Sequence, residues 1–105
     1  MGDAVVCLCT CPDADTAQRL AQHLVVSGLA ACVNRVPGLL SVFRWEGQIE
    51  EASEVLLIIK TLASHVDALA AAIREIHPYE VPELVALPIV GGHRPYLDWL
   101  KASVA

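Results

Sequence analysis

Apolar residues recur along this chain with two different periods. Val5 to Cys11 (VVCLCTC) is a continuous β-prone run that Pro12 ends. Asp13 is a good helix N-cap. Ala17, Leu20, Ala21, Leu24 and Val25 then return at helical spacing as far as Gly28, a natural terminator. A β-rich stretch follows from Leu29 to about Trp45, broken at Pro37-Gly38. Glu46-Gly47 predicts a tight reversal into a second long strand, Gln48 to Thr61. Ser64 and Asp67 resemble a capping box. They open a second helix with the stripe Val66, Leu69, Ala70 and Ile73, and Pro78 requires it to end by His77. The segment Val81 to Val90 predicts a strand whose prolines, Pro82 and Pro88, mark it as an edge or bulged one. Gly91-Gly92 is a turn, and Pro95 suits the first turn of a short final helix bearing Tyr96, Leu97, Trp99 and Leu100.

The first six elements in order, βαββαβ, predict an α+β, ferredoxin-like sandwich with a short C-terminal helix, one domain over residues 1–105. In that fold the two main helices cover one sheet face, so strands should alternate apolar and polar. Yet Val55–Ile59 (VLLII) and Leu84–Leu87 (LVAL) are apolar on both faces. A second copy of the same domain is the simplest cover for the remaining face.

Composition sharpens this picture. The chain is 55% hydrophobic and 18% charged, against roughly 45–50% and 25% in ordinary domains, although alanine supplies part of the excess. The formal net charge is -5 with no basic run, which argues against nucleic acid, whose phosphates need clustered cations. No apolar run approaches the roughly 18 residues of a membrane span. Met1 to Val6 has no cationic leader. A cytoplasmic protein is therefore expected, with its four cysteines as reduced thiols.

Alternation puts Cys7, Cys9 and Cys11 on one strand face, with neighbouring Cα atoms about 6–7 Å apart. Two thiolates there could lean onto one soft ion such as Cu(I). The alternative, favoured for Cys7 and Cys11, is that they are small buried hydrophobes. In the polar segment His77-Pro78-Tyr79-Glu80-Val81-Pro82-Glu83, His77 could be a ligand, a proton switch or a capping group at a helix C-terminus, and capping is favoured. Glu54 and Lys60 share a strand face, as solvated strand-end charges or with Lys60 as an anion-binding cation in a cleft. No phosphate loop or nucleophile–base arrangement is legible, so nothing points to an enzyme. Trp45 at a hairpin tip is hard to bury in one small domain and is expected in a subunit interface.

Ala30-Ala31-Cys32-Val33-Asn34, Pro37-Gly38, Ser41, Trp45-Glu46-Gly47, Glu54, Ile59-Lys60-Thr61, His77 to Glu83 and Tyr96-Leu97-Asp98-Trp99 resemble the CutA family, from about Val5 to about Ser103. The resemblance implies a tight homotrimer in which long strands pair with neighbouring protomers. It also implies a role in tolerance of divalent cations, copper especially, and offers no catalytic residue to carry over. No cofactor is required, and copper is the implied ion. The family's copper set falls on Cys9, Cys32 and His77, with Cys7 and Cys11 extra and Phe43 standing where the family often has Tyr. Because the split order pairs the first strand with the third, those three residues are not expected to meet at one ion within a protomer. Adventitious or subunit-bridging binding is expected in place of a closed tetrahedral cage, and a strand site made by Cys7 with Cys9 remains open. The architecture is also similar to that of PII signalling proteins, whose intersubunit clefts bind small molecules. On that alternative Glu54, Lys60, Tyr79, Glu83 and Trp99 are cleft candidates. A third alternative is a non-catalytic trimeric scaffold.

Overall fold

The two periods resolve into β1 (Ala4–Cys11), α1 (Ala14–Val26), β2 (Cys32–Trp45), β3 (Gln48–Leu62), α2 (Val66–Ile76), β4 (Val85–Pro88) and α3 (Arg94–Ala102). This computed structural model describes residues 3–105. Met1 and Gly2, on which the leader reading partly rests, lie outside the described residues. The strands form one antiparallel sheet in the order β2-β3-β1-β4, the split βαβ topology of ferredoxin-like domains.

Register decides the core. Cys7, Cys9 and Cys11 stand opposite Ile59, Leu57 and Val55. Directly opposed residues share a face, and these six meet Leu20 and Leu24 of α1 and Leu69 and Ile73 of α2 in the hydrophobic core. The Asp13 carboxylate accepts the Thr16 N–H at 2.8 Å and starts α1. Gly28, at φ 78°, ends it. A side chain at Gly28 would also meet Ala105, whose Cβ lies 2.6 Å from the position a Cβ would take.

Three expectations change in detail. The capping box at Ser64 does not form. A single 3₁₀ turn, Ala63–His65, precedes α2, and the Ser64 hydroxyl is spent on His65 Nδ1 at 3.0 Å. The final strand is only Val85–Pro88, because Pro82 has no N–H to give a ladder. Pro37-Gly38 does not break β2 but shifts its register between Val36 and Leu39. Gly38 takes φ 83° there, as a bulge allows. The hairpin closes at Glu46 and Gly47, both at positive φ, as a two-residue reversal requires.

The sheet face away from α1 and α2 is apolar and only partly covered within the chain. Val6, Leu8, Leu56 and Ile58 are half-buried, and Val85 and Leu87 are 49% and 50% exposed. The β2–β3 hairpin projects as an arm, giving extents of 44 × 25 × 23 Å. Leu40, Val42, Ile49 and Trp45 are exposed along it. Among the described residues no helix is long and apolar enough to cross a membrane.

Candidate metal centre

β3 runs antiparallel to β1, and α2 returns along β1, so α2 ends beside the end of β1. Pro78 stops α2, and His77 adopts extended geometry (φ -71°, ψ 134°) as its C-cap. The His77 backbone N–H still donates to the Ile73 carbonyl at 2.8 Å. Its side chain does not cap the helix, contrary to the favoured expectation. It turns back onto β1, where Nε2 lies 2.7 Å from the Thr10 carbonyl oxygen.

The edge of β1 supplies the reason. The Ile89 N–H donates to the Ala4 carbonyl on the β4 side, and alternate residues present the same edge. Thr10 therefore points its carbonyl to that side too, yet β4 pairing stops at Leu8 opposite Val85. A buried carbonyl needs a donor, and the imidazole provides it. A carbonyl has no proton to give, so Nε2 carries the hydrogen and the ring lone pair is on Nδ1. Nδ1 in turn accepts the Tyr79 N–H at 3.2 Å.

Cys9 and Cys11 project from β1 into the same buried corner. One donor atom from each of Cys9, Cys11 and His77 lies within 4.8 Å of the others. A ring N–H held by a backbone carbonyl is how metal-binding histidines are commonly oriented. Two sulfurs and an imidazole suit thiophilic ions such as Cu(I) or Zn²⁺. Metal–sulfur bonds of about 2.3 Å place sulfurs roughly 3.8 Å apart around a tetrahedral ion, so the donors need only a small closure.

The thiols are prepared as a pair. The hydrogen bond to Cys11, and then burial, push the Cys9 thiol far up, while the same bond holds Cys11 below the usual thiol range. A cation bound here would displace the thiol protons. Cys7 is raised by burial alone and stands outside the cluster. The second thiol beside Cys9 is Cys11, one step nearer the strand end, and not Cys7.

Tyr79 closes the corner. Its ring centroid is 4.7 Å from that of His77, and its hydroxyl donates to Glu54 Oε2 at 2.7 Å. Burial, and next the Glu54 hydrogen bond, push the phenol up to about 12. Glu54 is buried at 6% exposure, and both its charge and that of Glu83 act on Cys9.

The remaining candidates lie elsewhere. Cys32 opposes Lys60, and Lys60 opposes Val6, so Cys32 belongs to the sheet face opposite Cys9 and Cys11. Lys60 Nζ lies 3.8 Å from Cys32 Sγ and also hydrogen-bonds Asn34 Oδ1. Within one chain Cys32 therefore does not join Cys9 and His77. Lys60 is also about 20 Å along the strand from Glu54. Trp99 packs on Tyr96 in α3, with centroids 5.4 Å apart, and Trp45 sits at the arm tip. Sequence reasoning passed over Thr10, which acts through its backbone, and Asn34. It undervalued Cys11, although the return of α2 along β1 predicts that His77 and Cys11 share one end.

A family model described as "CutA1 divalent ion tolerance protein" matches residues 5–103. A divalent-cation tolerance protein CutA of Pectobacterium atrosepticum is 51% identical over 102 residues, 97% of this chain and 93% of its own length. The structure of CutA1 from Oryza sativa superposes with a TM-score of 0.96 at 46% identity, over 99% of this chain and 95% of that one. A CutA from Archaeoglobus fulgidus, named as periplasmic, gives 0.93 at 35% identity, over 97% and 99% of the two chains.

Proposed function

Since the chain belongs to the CutA1 divalent ion tolerance family, we propose that it serves metal tolerance as a non-catalytic homotrimer that binds a thiophilic ion, copper foremost, at Cys9, Cys11 and His77. The observation that carries this reading is the convergence of two thiols and one oriented imidazole in a fully buried corner. Such a donor set outcompetes water and carboxylates for soft ions, and Cu(I) accepts two or three donors of this kind. A reducing compartment, such as the cytosol, keeps the thiols available, and all four cysteines are free.

The trimer is supported by the partly exposed apolar sheet face and the apolar arm. A chain of this size gains by burying such surfaces against copies of itself. The test of the metal reading is a competition titration against a Cu(I) chelator. Cys9→Ser, Cys11→Ser and His77→Ala should each weaken binding, and Cys32→Ser should leave it unchanged. Equal losses in Cys9→Ser, Cys32→Ser and His77→Ala, with Cys11→Ser silent, would move the site to a bridge between subunits. Unchanged affinity in every variant would remove metal from the account.

A further inference from the structure

The Nε2 of His77 is committed to the Thr10 carbonyl at 2.7 Å, so any ion that uses this imidazole must approach Nδ1. Nδ1 is already engaged by the Tyr79 N–H at 3.2 Å. A metal ion and an N–H cannot share one lone pair, so loading displaces the Tyr79 backbone. Tyr79 is held by two further contacts. Its ring lies against the imidazole at 4.7 Å between centroids, and its hydroxyl is bound to the buried Glu54 carboxylate at 2.7 Å. The segment between α2 and β4 that carries it has no ladder partner, and Glu80, Val81 and Glu83 on it are exposed.

From these contacts we propose that Tyr79 is the gate of the Cys9–Cys11–His77 site and Glu54 its latch. This rests on the metal-binding reading above and adds its regulation. In the closed state the Tyr79 amide satisfies Nδ1 and the phenol satisfies Glu54. In the loaded state the ion takes Nδ1, the Tyr79 amide is released, and the segment from Pro78 to Leu84 rearranges. Loading thus changes the surface beside β4, and anything that grips the displaced segment strengthens metal binding by the same factor. Glu54 keeps the unloaded site closed, because a hydrogen bond to a buried carboxylate is stronger than one between neutral groups.

The experiment uses Co²⁺ as probe on the intact protein, following thiolate-to-cobalt absorbance after rapid mixing and amide exchange at Tyr79 before and after loading. Glu54→Gln keeps an acceptor of the same shape but weakens the latch. Tyr79→Phe removes it while retaining the backbone N–H. Both should take up Co²⁺ about tenfold faster than wild type, the size of one charge-assisted hydrogen bond. The Tyr79 amide should lose protection on loading in all three proteins. Unaltered uptake in both variants, or a Tyr79 amide that stays protected with cobalt bound, would overturn the gate while leaving the metal site standing. Absence of the thiolate band in wild type would overturn the metal reading and the gate with it.

Discussion

His77 and Thr10 are 67 positions apart in sequence, yet the imidazole Nε2–H of one donates to the backbone carbonyl of the other at 2.7 Å. The bond completes the β1 edge where β4 stops, and it orients the ring for a ligand at Nδ1. On the metal reading proposed above, one side chain serves a structural need and a chemical one, and substitutions at His77 should be read with both in mind.

The structural need can be measured in the metal-free protein. His77→Ala leaves a buried carbonyl without its donor, a loss of about 1–3 kcal/mol, with some further loss from the vacated volume. The expected outcome is a clearly lower denaturant midpoint in the presence of a chelator. A midpoint equal to wild type would mean that water or the neighbouring segment replaces the bond at no cost.

Tyr79 gives a pH signature. Its phenol is raised from 10.0 to about 12 in the folded protein. The native state therefore holds this proton more tightly than the unfolded chain does. The associated stability is complete below pH 10 and is lost as pH rises through about 12. Tyr79→Phe should flatten the stability profile over that window, as read by chemical denaturation at stepped pH. A profile with the same slope in both proteins would show that other groups dominate there.

Gly28 tests backbone geometry. It sits at φ 78°, where an L-residue costs roughly 1–2 kcal/mol. An added methyl would also strike Ala105, whose N–H donates to the Gly28 carbonyl at 2.9 Å. Gly28→Ala should lower the thermal midpoint and loosen residues around Ala105, seen as faster amide exchange at that position. Retention of both would contradict the close approach.

The assembly prediction concerns Trp45. On the isolated chain it is 40% exposed at the arm tip, an unusual place for the largest aromatic unless a neighbour covers it. Sedimentation of the wild type should give three protomers, and Trp45→Ala should weaken the assembly by about 2–4 kcal/mol. A stable micromolar monomer would refute the trimer, and an unchanged variant would remove Trp45 from the interface.

Much of the fold was legible because its signals are local. Pro12, Asp13, Gly28, Glu46-Gly47 and Pro78 punctuate the chain, and the doubly apolar strands announced a face in need of cover. The failures came where two local signals competed for one group, as when Ser64 bonded His65 in place of a helix cap. The site was harder to read. Cys11 looked like packing because a strand residue reveals its face but not what a distant helix end brings to it. Cys32 stood beside Cys9 on family grounds alone, the strand order argued against their meeting within a protomer, and the register through Lys60 and Val6 agrees, putting Cys32 on the opposite face. The Thr10 carbonyl could not be found from side-chain types at all, since any residue there would present the same atom.

The bulge between Val36 and Leu39 works as a phase shifter for the arm. Before it, Cys32 and Asn34 stand opposite Lys60 and Ile58. After it, Leu39, Ser41, Phe43 and Trp45 stand opposite Glu54, Ala52, Glu50 and Gln48. With the same residues, an unbroken ladder would have given those places to Gly38, Leu40, Val42 and Arg44. Deleting one residue at Pro37-Gly38 would remove the extra residue and leave one unbroken ladder, with Leu39 still opposite Glu54 and Trp45 still opposite Gln48. Trp45 would keep the face that continues from Cys32, while the bend and added twist that the bulge gives the strand would be lost. A one-residue deletion at this point is thus predicted to alter the direction in which the arm projects toward another chain, and not which of its faces carries Trp45.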